Sequence, residues 1–269
     1  MTAPTISFIL IEYHSLDDLP AAFDAIRAAS GGLDSEIIVS SNSSYPEMEQ
    51  LRLRSDFPGV AWVFNSGNGG FAAGMNAGIR ASKGDWVVLS NPDARIQRGS
   101  FAAAIAWFAA HPKVAVIGPR IIGPDGTVQD SCRRFMTMPR FVARQLRRLF
   151  TRRLVLHELC AEALQSQAVD WVIGGFMMIR RDALSIVGLL DDGYFLYVED
   201  MDWCKRFWDA GFEVWYYPDL AVCYAGDRKS TASITNPGRF KYAWWHLKSY
   251  MRFLRKHGLF PERQPENDR

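Results

Sequence analysis

The stretch Asn65–Asp93, NSGNGGFAAGMNAGIRASKGDWVVLSNPD, contains a turn, a helix and a strand in a row. The glycines open a turn, and FAAGMNAGIRAS, with small and apolar residues at helical spacing, predicts a helix. The apolar run DWVVLS then predicts a buried strand. Asn91-Pro92-Asp93 ends that strand, because proline cannot continue a central strand. This order of elements is typical of a parallel β-α-β unit.

The residues before this stretch repeat the alternation. TISFILIEY, SEIIVS and VAWVFN are short apolar runs that predict three earlier strands. Ser15 with Asp18 predicts a capping box for the first helix, and Pro46 with Glu47 predicts the first turn of the second. Because the alternation lasts to Gly118, we expect an α/β fold with a mostly parallel central sheet and helices on both faces. Ligands of such sheets bind at the carboxyl ends of the strands.

The pattern changes after Gly118. GPRIIGPDGTVQD predicts a hairpin around its Pro-Asp-Gly turn. VDWVIGGFMMIRR and FEVWYYP read as strands, MDWCKRFWDA as a helix, and GRFKYAWWHLKSYMRFLRKHG as a long final helix. Since no repeat and no linker separates these segments, we expect the second half to complete the sheet of the first.

The composition excludes some classes of protein. The chain has 269 residues, of which 48% are hydrophobic, and a net charge of +2. The apolar fraction supports a large core, and the nearly balanced charge argues against nucleic acid as a partner. Four scattered cysteines without a C-x-x-C pair indicate thiols in a reducing compartment. The start MTAPTISFILIEYH has no basic region, and its apolar run is too short for a signal peptide, so we expect a cytoplasmic protein.

The glycine-rich turn has two interpretations. Gly67-x-Gly69-x-x-Ala72 fits the dinucleotide fingerprint, which would make the chain a nicotinamide-dependent oxidoreductase. That fingerprint normally follows the first strand of its unit, whereas this turn follows the third. The alternative is a tight turn of small residues that lets the helix pack closely on the sheet.

Asp93 follows the predicted fourth strand, so its carboxylate lies at the edge of the sheet. A carboxylate at that place can hold a divalent cation that bridges two phosphates. An Asx-type turn without a ligand explains Asn91-Pro92-Asp93 equally well.

Residues 194–206, YFLYVEDMDWCKR, place three carboxylates after an aromatic run. Glu199 and Asp200 at the rim of an apolar wall would have a raised proton affinity, which suits a general base. The alternative is that both acids start a helix at its positive end. We expect Asp202 to face solvent or to cap that helix.

Four blocks of the chain together resemble family 2 glycosyltransferases, most closely the bacterial rhamnosyltransferase-like branch. They are NGGFAAGMNAGIRASKGDWVVLSNPDARI, GPRIIGPDGTVQDSCRR, DWVIGGFMMIRRDALSIVGLLDDGYFLYVEDMDWCKRFWDAGFEVWYYPDLAV and HLKSYMRFLRKHG. The resemblance implies a GT-A fold, a nucleotide-sugar donor and inversion at the anomeric carbon. It divides one domain into a nucleotide-sugar-binding half (1–118), an acceptor-binding and catalytic half (119–258) and a polar tail (259–269).

The resemblance also implies roles for individual residues. Asp200 is the base that deprotonates the acceptor hydroxyl, with Glu199 beside it. The donor site comprises Ser41, Asn42, Gly69, Gly70, Phe71, Asn76, Asn91 and Asp93, and the acceptor site comprises Trp171, Gly174, Gly175, Tyr197 and Trp203. From the basic loop GDRKST we add, as a hypothesis of our own, Arg228 and Lys229 as donor diphosphate partners. The expected reaction transfers L-rhamnose from a dTDP-sugar to a glycan or lipid-linked glycan in cell-wall or polysaccharide biosynthesis. A module that binds a nucleotide sugar without turnover is the alternative.

Two positions depart from the family pattern. Ser41 stands where an aspartate usually accepts the N3–H of a pyrimidine, and a neutral hydroxyl weakens that hydrogen bond by about 1 kcal/mol. Tyr224 stands where a histidine usually helps to hold the cation, and a phenol is a poor ligand for Mg²⁺ or Mn²⁺. Either Asp93 and the diphosphate hold the cation with water, or Arg228 and Lys229 replace part of its charge.

A basic amphipathic stretch covers residues 133–153. It contains eight arginines and no acid, and its apolar residues fall at helical spacing. This pattern is typical of helices on anionic membrane surfaces, here the inner face of the membrane where a lipid-linked acceptor would lie. The alternative is that the stretch packs on the protein body or on the second subunit of a homodimer. For the final helix we favour that alternative.

Overall fold

The computed structural model describes residues 5–142, 165–224 and 239–263. Within these ranges the strands are β1 (Ile6–Glu12), β2 (Ser35–Ser41), β3 (Val60–Phe64), β4 (Trp86–Ser90), β5 (Ala94–Arg98), β6 (Val114–Ile122), β7 (Val128–Gln129), β8 (Cys132–Arg133), β9 (Gln167–Ala168), β10 (Trp171–Val172), β11 (Phe176–Arg180) and β12 (Glu213–Tyr224). The helices are α1 (Leu19–Ser30), α2 (Glu47–Asp56), α3 (Phe71–Ala81), α4 (Phe101–Ala110), α5 (described for residues 138–142), α6 (Arg181–Val187), α7 (Glu199–Asp209) and α8 (Arg239–His257).

The first four strands form the parallel part of the main sheet. β1 pairs in parallel with β2 and with β4, and β2 pairs in parallel with β3, which confirms the predicted β-α-β units. The strand order is therefore β3-β2-β1-β4. From β1 the chain continues to β2 on one side, while β4 lies on the other. The carboxyl ends of β1 and β4 thus border the crevice in which open α/β sheets bind their ligands.

The second half of the chain enters the same sheet. β11 lies antiparallel between β4 and β6, and β12 pairs in parallel with β6 and antiparallel with β5. The prediction of one strand for VDWVIGGFMMIRR is wrong, because β10 leaves the sheet and pairs with β8. The break is at Gly174 and Gly175, where the chain passes close to α7. An added Cβ at Gly174 would lie 3.2 Å from the Cβ of Asp200.

Two helix starts differ from the sequence prediction. Ser15 makes no side-chain cap on the 3₁₀ turn that precedes α1, and its hydroxyl instead accepts from the backbone N–H of Tyr13 (3.4 Å). The helix predicted as MDWCKRFWDA begins two residues earlier, at Glu199. Tyr197 and Val198 adopt left-handed backbone angles, with φ of 69° and 73°, and turn the chain directly into α7.

Two hydrophobic cores lie on opposite faces of the sheet. Successive side chains of a strand point to opposite faces, so Phe8 of β1 enters one core and Ile9 enters the other. Tyr250, Phe253 and Leu254 of α8 pack into the same core as Ile9, as expected for the final helix. Among the helices that the structure describes, none combines the length and apolar character needed to cross a bilayer.

Candidate functional site

The carboxylate of Asp200 is held at the start of α7 by two backbone groups. The N–H of Gly174 donates to its Oδ2 (2.9 Å), and the N–H of Met201 donates to its Oδ1 (2.8 Å). The left-handed residues Tyr197 and Val198 precede it, and non-glycine residues in that conformation each cost about 1–2 kcal/mol. Strain of this kind persists only where the surroundings fix the chain, and it collects at functional sites. The loop thus orients Asp200 toward Gly174.

Glu199 and Asp200 differ in their electrostatic environment. Both are buried, at 6% and 9% exposure. Burial and the neighbouring Asp200 raise the pKa of Glu199 well above its usual range, and its Oε2 has no hydrogen-bond partner within the described residues. Burial also raises the pKa of Asp200, but the two N–H donors and the charge of Arg133 oppose that rise. The two N–H donors favour the charged form of Asp200, whereas burial and the like charge of Asp200 both favour the protonated form of Glu199.

Asp202 neither faces solvent nor caps the helix, so that prediction is wrong. Its side chain is fully buried and contacts Arg206 (3.0 Å), Lys256 (2.9 Å) and His257 (2.8 Å). Burial alone would raise the pKa of Asp202, but hydrogen bonds from His257 and Lys256 and the charge of Arg206 lower it instead. Asp202 therefore fastens α8 to α7, two residues beyond Asp200.

The glycine-rich turn contacts the loop that precedes Glu199. Gly70 has a φ of 91°, and a Cβ at this position would lie 2.2 Å from the carbonyl oxygen of Phe195. The N–H of Phe71 donates to the same oxygen (2.9 Å). The first N–H of α3 is thus bound to the protein itself. The turn also follows the edge strand β3, which argues against a dinucleotide site.

Three residues predicted to contact the donor are buried inside the protein. Ser41 is fully buried, and its hydroxyl donates to Oε2 of Glu12 (2.5 Å). Asn42 donates to the carbonyl of Gly70 (2.9 Å) and so supports the turn. Asn76 bonds to both backbone groups of Leu190 and is 1% exposed, so it joins α3 to the loop after α6. In this structure the three side chains make their hydrogen bonds within the protein.

Glu12 is a buried acid, bonded to the predicted donor residue Ser41, that the sequence reasoning missed. It is fully buried at the end of β1, opposite Ser41 of β2. Its carboxylate accepts hydrogen bonds from the hydroxyls of Ser41, Ser43 (3.2 Å) and Tyr45 (3.1 Å). The available signal was an acid in the last position of an apolar strand. Glu12 therefore places a carboxylate on β1, next to Ser41 of β2, the position where the family pattern has an aspartate.

The end of β4 lies next to the Gly174–Gly175 break. The N–H of Asn91 donates to the carbonyl of Gly175 (2.8 Å). A Cβ added at Gly175 would lie 2.6 Å from the hydroxyl of Tyr224 and 3.1 Å from Nδ2 of Asn91. Tyr224 therefore reaches the edge where Asn91 and Asp93 follow β4, and Gly174 connects this edge to Asp200.

The donor set at this edge fits a cation only in part. Within the described residues there is no group of three or more histidine, cysteine, aspartate or glutamate side chains that could hold a metal ion. Asp93 offers one carboxylate, and Mg²⁺ is commonly bound by one or two carboxylates together with substrate phosphates. The residues thus fit a cation that arrives with a diphosphate. Arg228 and Lys229, the predicted diphosphate partners, lie outside the described residues.

The predicted acceptor residues separate into two groups. Gly174, Gly175 and Tyr197 border Asp200 and the loop before it, and Trp171 lies 5.5 Å from the guanidinium of Arg133. Trp203 is fully buried and donates its indole N–H to the carbonyl of Gly188 (2.9 Å). Trp203 is therefore a core residue, and the prediction that it faces a sugar is wrong.

The chain is similar to known glycosyltransferases. A family model described as Glycosyl transferase family 2 matches residues 7–187. The N-acetylglucosaminyl-diphospho-decaprenol L-rhamnosyltransferase of Mycobacterium tuberculosis is 32% identical over 143 residues, which are 52% of this chain and 47% of that protein. The Haloferax volcanii hexosyltransferase Agl10 is 26% identical over 208 residues, covering 75% of this chain and 61% of that protein. Rhamnosyltransferase WbbL of Escherichia coli is 38% identical over 97 residues, 35% of this chain and 34% of that protein. The chain thus spans about half the length of the curated relatives that it matches.

Solved structures identify the fold. GalNAc-T7, solved with UDP, GalNAc and Mn²⁺, superposes with a TM-score of 0.66 at 14% identity over 94% of this chain and 48% of its own. A mannosyltransferase of Pyrobaculum calidifontis, solved with GDP-Man and Mn²⁺, gives 0.60 at 18% identity over 94% of this chain and 65% of its own. These neighbours have the GT-A fold, which confirms the predicted fold class. Because the family model matches residues 7–187, which are more than half of this chain, the chain belongs to glycosyl transferase family 2.

Proposed function

We propose that this chain is an inverting glycosyltransferase in which Asp200 is the general base. The observation that carries the proposal is the setting of its carboxylate, which is buried, accepts hydrogen bonds from the N–H groups of Gly174 (2.9 Å) and Met201 (2.8 Å), and has a pKa that burial raises. A general base needs a pKa that is raised toward neutral pH while the carboxylate still stays ionised.

The chemistry is a single displacement. The acceptor O–H gives its proton to a carboxylate oxygen of Asp200 while its oxygen attacks the anomeric carbon of the donor sugar. The bond from that carbon to the diphosphate oxygen breaks, and the nucleoside diphosphate leaves with the electron pair. Because the base and the leaving group lie on opposite faces of the sugar, the configuration at that carbon inverts.

The edge formed by Asn91, Asp93 and Gly175 is our choice for the donor diphosphate. It lies at the carboxyl end of β4, beside the crevice of the sheet. Asp93 would hold Mg²⁺ or Mn²⁺ together with the donor phosphates, and such a cation supplies positive charge to the departing diphosphate. The structures of GalNAc-T7 and of the Pyrobaculum mannosyltransferase contain Mn²⁺. Arg228 and Lys229 remain proposed phosphate partners.

For the substrates we propose L-rhamnose from a dTDP-sugar and a lipid-linked glycan acceptor at the inner face of the membrane. Two relatives are rhamnosyltransferases by name, and the name of the Mycobacterium relative specifies an acceptor on diphospho-decaprenol. Such an acceptor presents its sugar hydroxyl next to a lipid. Tyr197, half-buried in the loop before Glu199, would supply aromatic surface on the acceptor side, whereas Trp171 is buried and donates its indole N–H to the carbonyl of Arg134 (3.0 Å).

The test is Asp200→Asn in a transfer assay with a panel of nucleotide sugars, with and without Mn²⁺. Asparagine keeps the volume of the side chain but has one oxygen, so it accepts from only one of the N–H groups of Gly174 and Met201, and we expect transfer to fall by about 10²–10⁴-fold. Donor affinity, measured as the shift in melting temperature with added donor, should stay unchanged. Asp219→Asn changes an exposed aspartate whose backbone lies beside Gly99, before α4, and serves as the control. Full transfer by the Asp200 variant would refute the base role.

The second candidate is a module that binds a nucleotide sugar without turnover. The neutral side chain of Tyr224 at the cation edge is the observation that favours it. This candidate expects a wild type that binds one donor in the thermal assay and yet transfers no sugar to any acceptor. Transfer by the wild type removes it.

A further inference from the structure

We propose that the outer face of α8 docks on an anionic phospholipid bilayer. We define this α8 outer face as Trp244, Leu247, Lys248, Met251 and Arg255. Its three apolar side chains are 58%, 40% and 38% exposed, in that order along the helix. Their spacing of three and four residues places them in one row on one side of the helix. Tryptophan is enriched at membrane–water interfaces, where its ring lies at the level of the headgroups.

The charges of α8 favour an anionic partner. Its sequence, RFKYAWWHLKSYMRFLRKH, contains no acid. Arg252 pairs with Asp191, and Lys256 pairs with Asp191 and Asp202. Lys248 and Arg255 are exposed and form no ion pair with any residue that the structure describes. A row of apolar side chains bordered by unneutralised cations is the pattern of helices that lie in a bilayer surface.

The same charges argue against a second copy of the chain. A two-fold dimer through this face would bring the same patch of both copies together, so Lys248 and Arg255 of one copy would lie close to Lys248 and Arg255 of the other. Like charges brought together in a desolvated contact repel each other. Anionic headgroups reverse the sign of that interaction, and each basic residue near such a surface contributes to binding.

The opposite side of α8 supports the loop that precedes Glu199. The rings of Phe195 and Trp245 are 4.6 Å apart, and the hydroxyl of Ser249 donates to the carbonyl of Leu196 (3.0 Å). A bilayer on the outer face would therefore lie about one helix diameter, ~10 Å, from that loop. Only this last step rests on the proposed function, since it places a lipid-borne acceptor within reach of Asp200.

The experiment is flotation of the purified chain with vesicles of phosphatidylcholine alone and of phosphatidylcholine mixed with phosphatidylglycerol, at low salt and without donor or acceptor. We expect binding to the mixed vesicles only. Lys248→Ala with Arg255→Ala should lower the partition coefficient about fivefold for each charge removed. Trp244→Glu with Met251→Glu should abolish binding. Because no sugar transfer is measured, the result is independent of the proposed function.

The matched control changes exposed apolar residues on another helix. Met48 and Leu51 of α2 are 77% and 56% exposed, but α2 carries three acids beside its two arginines and precedes the edge strand β3. Met48→Glu with Leu51→Glu should float like the wild type, and circular dichroism should show that every variant is folded. The proposal is overturned if the wild type does not bind the mixed vesicles or if the Trp244 variant binds as well as the control. It is equally overturned if sedimentation shows a dimer that the Trp244 variant loses.

Discussion

The contact between the glycine-rich turn and the loop before Glu199 can be tested by Gly70→Ala. The backbone at Gly70, with φ 91° and ψ −178°, lies in a region that essentially only glycine adopts, so alanine costs about 1–3 kcal/mol there. The new Cβ would lie 2.2 Å from the oxygen of Phe195 and 2.8 Å from its carbonyl carbon, so the two segments must separate. Separation also removes the hydrogen bond from the N–H of Phe71, worth about 1 kcal/mol. We expect the free energy of unfolding to fall by about 2–4 kcal/mol.

The same substitution should impair transfer more than stability alone explains. A shift of about 1 Å in the loop that carries Asp200 would lower kcat/KM by about 10²-fold. Urea unfolding and transfer rates below the unfolding transition measure the two effects separately. Gly67→Ala is the control, because its Cβ would meet no atom within 4 Å, and it should stay within about 0.5 kcal/mol of the wild type. Equal stability and equal activity of the two variants would refute the reasoning.

Three further substitutions test the electrostatics of the site. Asp202→Asn should lower the free energy of unfolding at pH 7 by about 3 kcal/mol, because Arg206 and Lys256 lose their buried partner. The pKa of Asp202 is lowered in the folded state, so its contribution to the free energy of unfolding is present above the usual aspartate pKa of about 3.9 and is lost as the pH falls through the folded pKa. Urea titrations should therefore show the stabilities of the wild type and the variant converging in acid. A difference that stays constant with pH would contradict this. The charge of Arg133 lowers the pKa of Asp200, so Arg133→Gln should raise that pKa and move the acidic limb of the kcat/KM profile to higher pH. Arg134→Gln, which changes the exposed neighbour, should leave the limb in place. Asp93→Asn should weaken Mn²⁺-dependent binding of a nucleoside diphosphate by at least about tenfold in calorimetry, and an unchanged affinity would remove Asp93 from the cation site.

The parallel half of the fold could be predicted because its signals are local. Each of the runs that form β1 to β4 is short, apolar and followed by a turn, and the helices between them have helical spacing. The position of β11 could not be predicted in this way. It lies between β4 and β6 and runs antiparallel to both, and nothing in its own residues specifies either neighbour.

The site could be predicted only where a residue's role depends on its local chain. Glu199 and Asp200 lie at a loop-to-helix junction that the aromatic run already indicated. The burial of Asp202 depends on Lys256 and His257, more than fifty residues further along, so the sequence around it read as a solvent-facing cap. Glu12 was missed for the same reason, because its serine partners belong to the next strand.

The insertion of β11 has a consequence for synthesis of the protein on the ribosome. One edge of β4 pairs with β1 as soon as the early strands have emerged, but its other edge has no partner until β11 is made, about 90 residues later. At roughly 5–20 residues per second, that edge waits on the order of 5–20 seconds. An unpaired apolar strand recruits other chains during such an interval. Nascent chains of this protein should therefore depend on chaperones that bind exposed strands until Arg180 has left the exit tunnel.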